Sequence, residues 1–343
     1  VSARVRCRVT VGGYQGHAEQ IIAGFCELAR SGRIDLAFVR ASRSETRPRV
    51  QIRATVEGRR VAYDTWDDGL DGLFDPGAAA EGLGDFDFYF KRSFDPKRHA
   101  ASSGTCRIEP LGLIYLVSPN SARLRDRIRL LDTRRVANRL RGHQRQMRRF
   151  EIPPAPDRDP VVLFMTRAWD PNGASDPRVR DATSALNESR AAYVRALREE
   201  FGSRFYGGLH PDEFSRREYG DCLLPSRWSG SQGAFLERMH RSSICVASTG
   251  LFSSIGWKMA EYVAASRAIV AETLRYAVPG DFAREKNYLE YGSTEELLTA
   301  VERLLADDAL RYSLMRANWA YYHAWVRPDA LVLNTILTAL ESR

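Results

Sequence analysis

Short apolar blocks alternate along the chain with longer stretches whose apolar residues recur at three- and four-residue intervals. Arg4–Val11 is strand-like and GGYQG follows as a loop. Ile21, Ile22, Phe25 and Leu28 then share one face of a helix over His17–Ser31, which Gly32 stops. Asp35–Val39 returns as a strand, Arg49–Val56 and Arg60–Tyr63 are short strand candidates, and Asp85–Phe90 is another. This rhythm predicts a parallel sheet with helices on its faces. The Gly/Ala/Asp-rich piece Asp67–Gly84 reads as a loop with a short helix.

The Pro-rich stretch EIPPAPDRDP (151–160) is the clearest linker, and Val161–Thr166 after it is a continuous apolar run, the mark of a strand buried on both faces. Asn187–Phe201 and Gly233–His240 read as helices, Arg204–Tyr206 and Ser242–Ala247 as strands. Ile255–Ala265 is then helical and Ala268–Ala271 the next strand. Ser293-Thr-Glu-Glu296 is a capping box opening a helix through Leu297, Leu298, Val301, Leu304 and Leu305. A helix over Ala309–Trp319 leads into the aromatic cluster Trp319, Tyr321, Tyr322, Trp325, whose spacing suits packing better than a sugar platform. Pro328 starts a closing helix, Asp329–Glu341. The expected division is an N-terminal domain over 1–155, a C-terminal domain over 156–327, and a closing helix in 328–343 that is a candidate for return to the first domain.

With 343 residues, 44% hydrophobic and 27% charged, the chain has material for two such cores. No run reaches the roughly 18 apolar residues of a membrane span, and VSARVRCRVTVGGYQGH lacks the layout of a signal peptide. Five scattered cysteines without a CxxC pair argue against a disulfide framework and a cysteine zinc site, so cytoplasmic residence is the expectation. The net charge of +8 is uneven: residues 121–150 hold eleven arginines against Asp126 and Asp132. The segment Arg123–Arg149 suits a solvated helix, nucleic acid, or peripheral contact with an anionic membrane. Nucleic acid is the least favoured, for no aromatic residues interleave the arginines.

Chemistry concentrates in SSICVASTGLFSSIGWKMAEYVAASRAIVAE (242–272). A buried strand ends at Ser248-Thr249-Gly250, a short polar loop turns into a helix, and a strand resumes at Ala268. In an open parallel sheet, ligands bind beyond the C-terminal ends of strands, where helix N-termini offer free N–H groups to phosphate. Gly250 and Gly256 permit close backbone approach. Ser253 and Ser254 suit a cap or a phosphate, Lys258 a diphosphate, and Glu261, one turn along, the two hydroxyls of a ribose. Serine caps and i,i+3 Lys–Glu pairs also occur in helices that bind nothing.

GWKMAEYVAASRAIVAE, with NYLEYGSTEEL some 25 residues on, resembles the donor-binding half of GT-B-type glycosyltransferases (family-1-like, nucleotide-sugar dependent), over roughly residues 160–340. The resemblance implies two Rossmann-like α/β domains facing a cleft. It also implies transfer of a sugar from a nucleotide diphosphate-sugar donor to an acceptor, whether polysaccharide, lipid-linked, protein or small molecule. Under it Glu261 is the ribose-binding carboxylate, Arg167, after VVLFMT, grips the diphosphate, and Lys258 adds a phosphate contact. Retaining members carry a further glutamate eight positions before the ribose-binding one, where this chain has Ser253. The pattern therefore assigns neither retention nor inversion.

GGYQGH (12–17) resembles the acceptor-side loop of that fold, with Gly13 and Gly16 admitting a substrate and His17 as candidate general base. Lys91 and Arg92, closing the strand FDFYF, are candidates for phosphate or acceptor, or for a solvated loop. Asp85-Phe-Asp87 imitates a DxD metal motif but opens its strand. No metal and no cofactor are expected, since basic groups and a helix dipole carry the leaving-group charge in such a site. Two other functions stay open: a sugar-nucleotide epimerase or hydrolase of the same fold, and a non-enzymatic nucleic-acid- or membrane-binding protein that uses the arginine segment.

Overall fold

The computed structural model describes residues 4–12, 18–41, 50–67, 83–99, 106–119, 145–225 and 230–341. The elements run β1 (Val5–Val11), α1 (Glu19–Arg30), β2 (Ile34–Arg40), β3 (Val50–Val56), β4 (Arg59–Asp64), β5 (Phe88–Lys91) and β6 (Arg107–Pro110). They continue with β7 (Val162–Thr166), α2 (Pro177–Phe201), β8 (Phe205–Leu209), α3 (Glu213–Glu218), α4 (Gln232–Arg241), β9 (Ile244–Ala247) and α5 (Trp257–Ala264). Last come β10 (Ala268–Glu272), β11 (Tyr288–Tyr291), α6 (Thr294–Ala306), α7 (Asp308–Tyr321) and α8 (Pro328–Glu341). Two α/β units result. One holds Val1–Phe150, Arg275–Asp281 and Tyr321–Arg343, the other Glu151–Leu274 and Phe282–Ala320. Among the described residues no helix is long and apolar enough to cross a membrane.

The first unit carries a six-stranded sheet in the order β2-β1-β3-β4-β5-β6. A parallel sheet was expected, but β3 is antiparallel to both β1 and β4; the remaining pairs are parallel. The cause is local. Glu57 (φ 46) and Gly58 (φ 89) both take the left-handed conformation, the geometry of a two-residue hairpin turn between β3 and β4. The Glu57 carboxylate accepts from the Arg6 backbone N–H (2.6 Å) and guanidinium (3.1 Å), fixing the hairpin to β1. On this sheet α8 packs against α1, β3 and β4. A Cβ on Gly24 would lie 2.1 Å from the Pro328 carbonyl oxygen, so only glycine lets α1 come this close to α8. The aromatic cluster here is packing: Tyr322 is fully buried and shares a hydroxyl hydrogen bond with Tyr115 (3.1 Å), and Tyr321 donates to the Pro279 carbonyl (2.7 Å).

The second unit has five parallel strands in the order β11-β10-β9-β7-β8. Val162, Phe164, Ile244, Val246, Ala268 and Val270 join one core, while Leu163, Met165, Cys245 and Ile269 on the alternate positions are also buried. Burial of both faces explains the unbroken apolar run of β7. Helices α2 and α6 pack together on one side; on the other α4 and α5 meet through Phe235 and Tyr262, ring centroids 6.3 Å apart. Helix α2 starts ten residues before the expected Asn187, because Asp176 caps it by accepting from the Arg178 N–H (2.8 Å) and Pro177 occupies its first turn. Helix α6 opens as the capping box implies, with Ser293 Oγ accepting from the Glu296 N–H (3.2 Å).

Candidate functional site

The strand order of the second unit reverses between β7 and β9, so the segments leaving their C-terminal ends diverge and open a crevice there. Two side chains frame it. Arg190, buried on α2, donates to the carbonyls of Arg167 (2.7 Å) and Thr249 (2.9 Å) and to Ser248 Oγ (3.2 Å), tying the segment after β7 to the segment after β9. Burial lowers its pKa to about 10 against the pull of Glu272. Glu272, at the end of β10, accepts from the Thr249 N–H (2.5 Å) and hydroxyl (2.6 Å) through one oxygen and from the Tyr193 hydroxyl (2.9 Å) through the other.

Beyond Thr249 the chain closes on itself: the Gly250 N–H donates to the Ser254 carbonyl (2.8 Å) and the Ser254 N–H to the Leu251 carbonyl (3.2 Å). The loop holds Phe252 (φ 57) and Ser253 (φ 61) in the left-handed region, a strained pair for residues with side chains. A Cβ on Gly250 would sit 2.5 Å from the hydroxyl of the buried Ser254, which would have to turn away. Neither serine caps α5. Its cap residue is Gly256, which has no side chain to cap it, and the helix starts two residues later than the expected Ile255. The expected serine cap fails because the closed loop ends before the helix begins.

Four side chains line this edge. Lys258, in the first turn of α5, places Nζ 3.3 Å from the carboxylate of buried Glu261 and 2.9 Å from the ring centroid of Phe235. Its side chain is 36% exposed. Crowding by protein atoms lowers the Lys258 pKa, Glu261 opposes that shift and Arg167 adds to it, so the two cations share one neighbourhood. Arg167 is exposed, and among the described residues no carboxylate pairs with its guanidinium. His210, at the end of β8, packs its imidazole against Gly230, and burial followed by the charge of Arg167 lowers its pKa. Three basic groups thus leave three adjacent strands and gather around one spot. The charge of Arg167 and Lys258 there is of the sign an anion complements.

No protein-family model matches the sequence, and no curated protein matches it significantly. Solved structures do. A putative UDP-N-acetylglucosamine 2-epimerase from Listeria monocytogenes aligns over 99% of this chain and 96% of its own, at 9% identity and a TM-score of 0.46. HepE of Anabaena, in complex with UDP-glucose, aligns over 97% of this chain and 79% of its own, at 9% identity and a TM-score of 0.44. The C-terminal domain of a group 1 family glycosyl transferase, LpcC from Francisella tularensis, aligns over 52% of this chain and 96% of its own, at 14% identity and a TM-score of 0.36.

The remaining candidates are distributed differently. Thr249 is held by Glu272 through both backbone and hydroxyl, so it shapes the crevice. Gly13, Gly16 and His17 lie outside the described residues, as does most of Arg123–Arg149. Lys91 does not reach solvent: it is fully buried with Nζ 2.9 Å from Asp64, which also accepts from the Tyr89 hydroxyl (2.8 Å). Arg92 is buried likewise and pairs with Asp67 at 2.9 Å. Both face inward because Asp64 and Asp67, at and just beyond the end of β4, stand beside the end of β5. Asp87 is occupied by Arg60, accepting from its backbone N–H at 2.7 Å. Arg190, Glu272 and His210 were not singled out from sequence. Only the positions of Glu272 and His210, at or just beyond strand ends, hint at them; Arg190 lies in the middle of α2 without such a signal.

Proposed function

We propose that the chain is a glycosyltransferase whose second unit binds a nucleotide diphosphate-sugar donor at the crevice between β7 and β9. The observation that carries the reading is the grouping of Arg167, Lys258 and the glycine-capped N-terminus of α5, with the buried Glu261 carboxylate one turn further along. Arg167 and Lys258 take the diphosphate, aided by the α5 N–H groups and dipole. Glu261 accepts the ribose hydroxyls. Leaving-group charge grows on the distal phosphate as the glycosidic bond to the sugar breaks, and prepositioned cations stabilise it at no reorganisation cost. A diphosphate also offsets the repulsion between Arg167 and Lys258.

Isothermal titration with UDP, GDP and ADP, followed by nucleotide release assays on the matching sugar nucleotides with an acceptor panel, tests this. One nucleotide diphosphate should bind, and R167A and K258A should each weaken it by about tenfold, as expected for a charge-assisted hydrogen bond. Binding of none of the three would sink the reading. Donor consumption equal with and without any acceptor would replace transferase by hydrolase or epimerase.

A further inference from the structure

We propose that Trp169 is the stacking platform for the sugar ring of the donor; the inference rests on the nucleotide site just described. Among the described residues Trp169 and Leu337 are the large apolar side chains left exposed, and the Trp169 side chain is 49% accessible. Its exposure is not looseness. The side chain of Asn187, fully buried on α2, accepts from the Trp169 N–H (3.0 Å) and donates to the Trp169 carbonyl (2.7 Å), clamping the backbone from both sides. The preceding Ala168 is buried, and the following Asp170 caps a tight turn by accepting from the Asn172 N–H at 2.9 Å. A rigid backbone therefore holds the indole in solvent at the mouth of the crevice.

The order of neighbours says what it faces. Glu261 contacts Lys258, Lys258 shares its surroundings with Arg167, and the Arg167 guanidinium lies 6.0 Å from the centre of the Trp169 ring. A donor laid along this row with its ribose at Glu261 and its diphosphate at Lys258 and Arg167 brings the next group, the sugar, to the indole. The axial C–H groups of a pyranose ring make an apolar face, most complete in the gluco configuration, and such a face covers an aromatic ring as apolar surface does.

The probes are UDP, GDP and ADP, each paired with UDP-glucose, GDP-mannose and ADP-glucose. For whichever pair the wild type binds, W169A should weaken the sugar nucleotide by about fivefold to tenfold, the size of one aromatic contact, and the free diphosphate by less than about twofold. W169F should restore most of the loss. The sugar nucleotide should change tryptophan fluorescence more in the wild type than in W169F, which keeps the chain's five other tryptophans, Trp257 of α5 among them. Equal weakening of both ligands, or no weakening of either, overturns this inference and leaves the nucleotide site standing. Failure of all six ligands to bind the wild type overturns both. Unchanged melting temperature in W169A separates these outcomes from misfolding.

Discussion

Arg190→Met removes the guanidinium that joins the two segments of the crevice while keeping most of the buried alkyl volume. Three acceptors lose a donor: the carbonyls of Arg167 and Thr249 and the Ser248 hydroxyl. Charge-assisted hydrogen bonds are worth about 1.5–3 kcal/mol each, but three bonds from one group do not add. Removing the charge also recovers part of its desolvation cost, which the depressed pKa of about 10 reflects. We expect a net loss of about 3 kcal/mol, near the lower end of what breaking a buried polar network costs. Urea denaturation should show the midpoint falling at unchanged slope. Arg190→Lys should recover less than half of the loss, since one ammonium cannot span three acceptors in fork geometry. Nucleotide affinity should fall as well, by about tenfold or more, as Arg167 and Thr249 lose registration. A stability loss under about 1 kcal/mol with unaltered affinity would refute the bracing role.

Gly24→Ala should destabilise the first unit by about 2–3 kcal/mol, the scale of overpacking against an unyielding partner, because its Cβ would meet the backbone of α8; an unchanged melting temperature would contradict the close approach of α1 and α8. His99 is buried, its Nδ1 accepts from the Asp95 N–H (2.8 Å), and burial, with the nearby charge of Lys91, lowers its pKa to about 4. The unfolded imidazole takes up its proton near pH ~6.5, so this contribution is intact above that pH and is lost as pH falls towards 4. At ~1.4 kcal/mol per pH unit the interval is worth about 3 kcal/mol, and His99→Asn should flatten the fall in stability between pH ~6.5 and ~4.5 seen by urea denaturation. Parallel pH profiles for variant and wild type would show that His99 is not the group responsible.

What the sequence makes legible is whatever a local pattern encodes. The run Val161–Thr166 announces a two-sided strand, and Ser293 with Glu296 announces a helix start, because in each the cause lies within a few residues. The turn Glu57–Gly58 carries the same kind of signal: only three residues separate the runs Arg49–Val56 and Arg60–Tyr63, too few for a crossover, so an antiparallel pair is legible there, against the expectation of a parallel sheet that passes over it. The Asp176–Pro177 start of α2 is also local and escapes notice because the apolar period only becomes clear near Asn187. The frame of the crevice is different in kind. Arg190 meets partners 23, 58 and 59 residues away, and Glu272 one 79 residues away. Nothing in the neighbourhood of either residue records those distances. Lys91 and Arg92 mislead for the same reason: a basic pair at a strand end looks solvent-bound until Asp64 and Asp67 are known to lie beside it.

The central claim, that α5 presents a ribonucleotide diphosphate site, is tested most directly by comparing ribose and 2′-deoxyribose forms of the diphosphate that binds, on wild type and Glu261→Ala, by isothermal titration. The wild type should prefer the ribose form by about tenfold, the worth of one hydrogen bond to a carboxylate, and E261A should bind both forms equally and more weakly. A wild type indifferent to the 2′-hydroxyl, or an E261A protein that keeps the preference, would contradict the account.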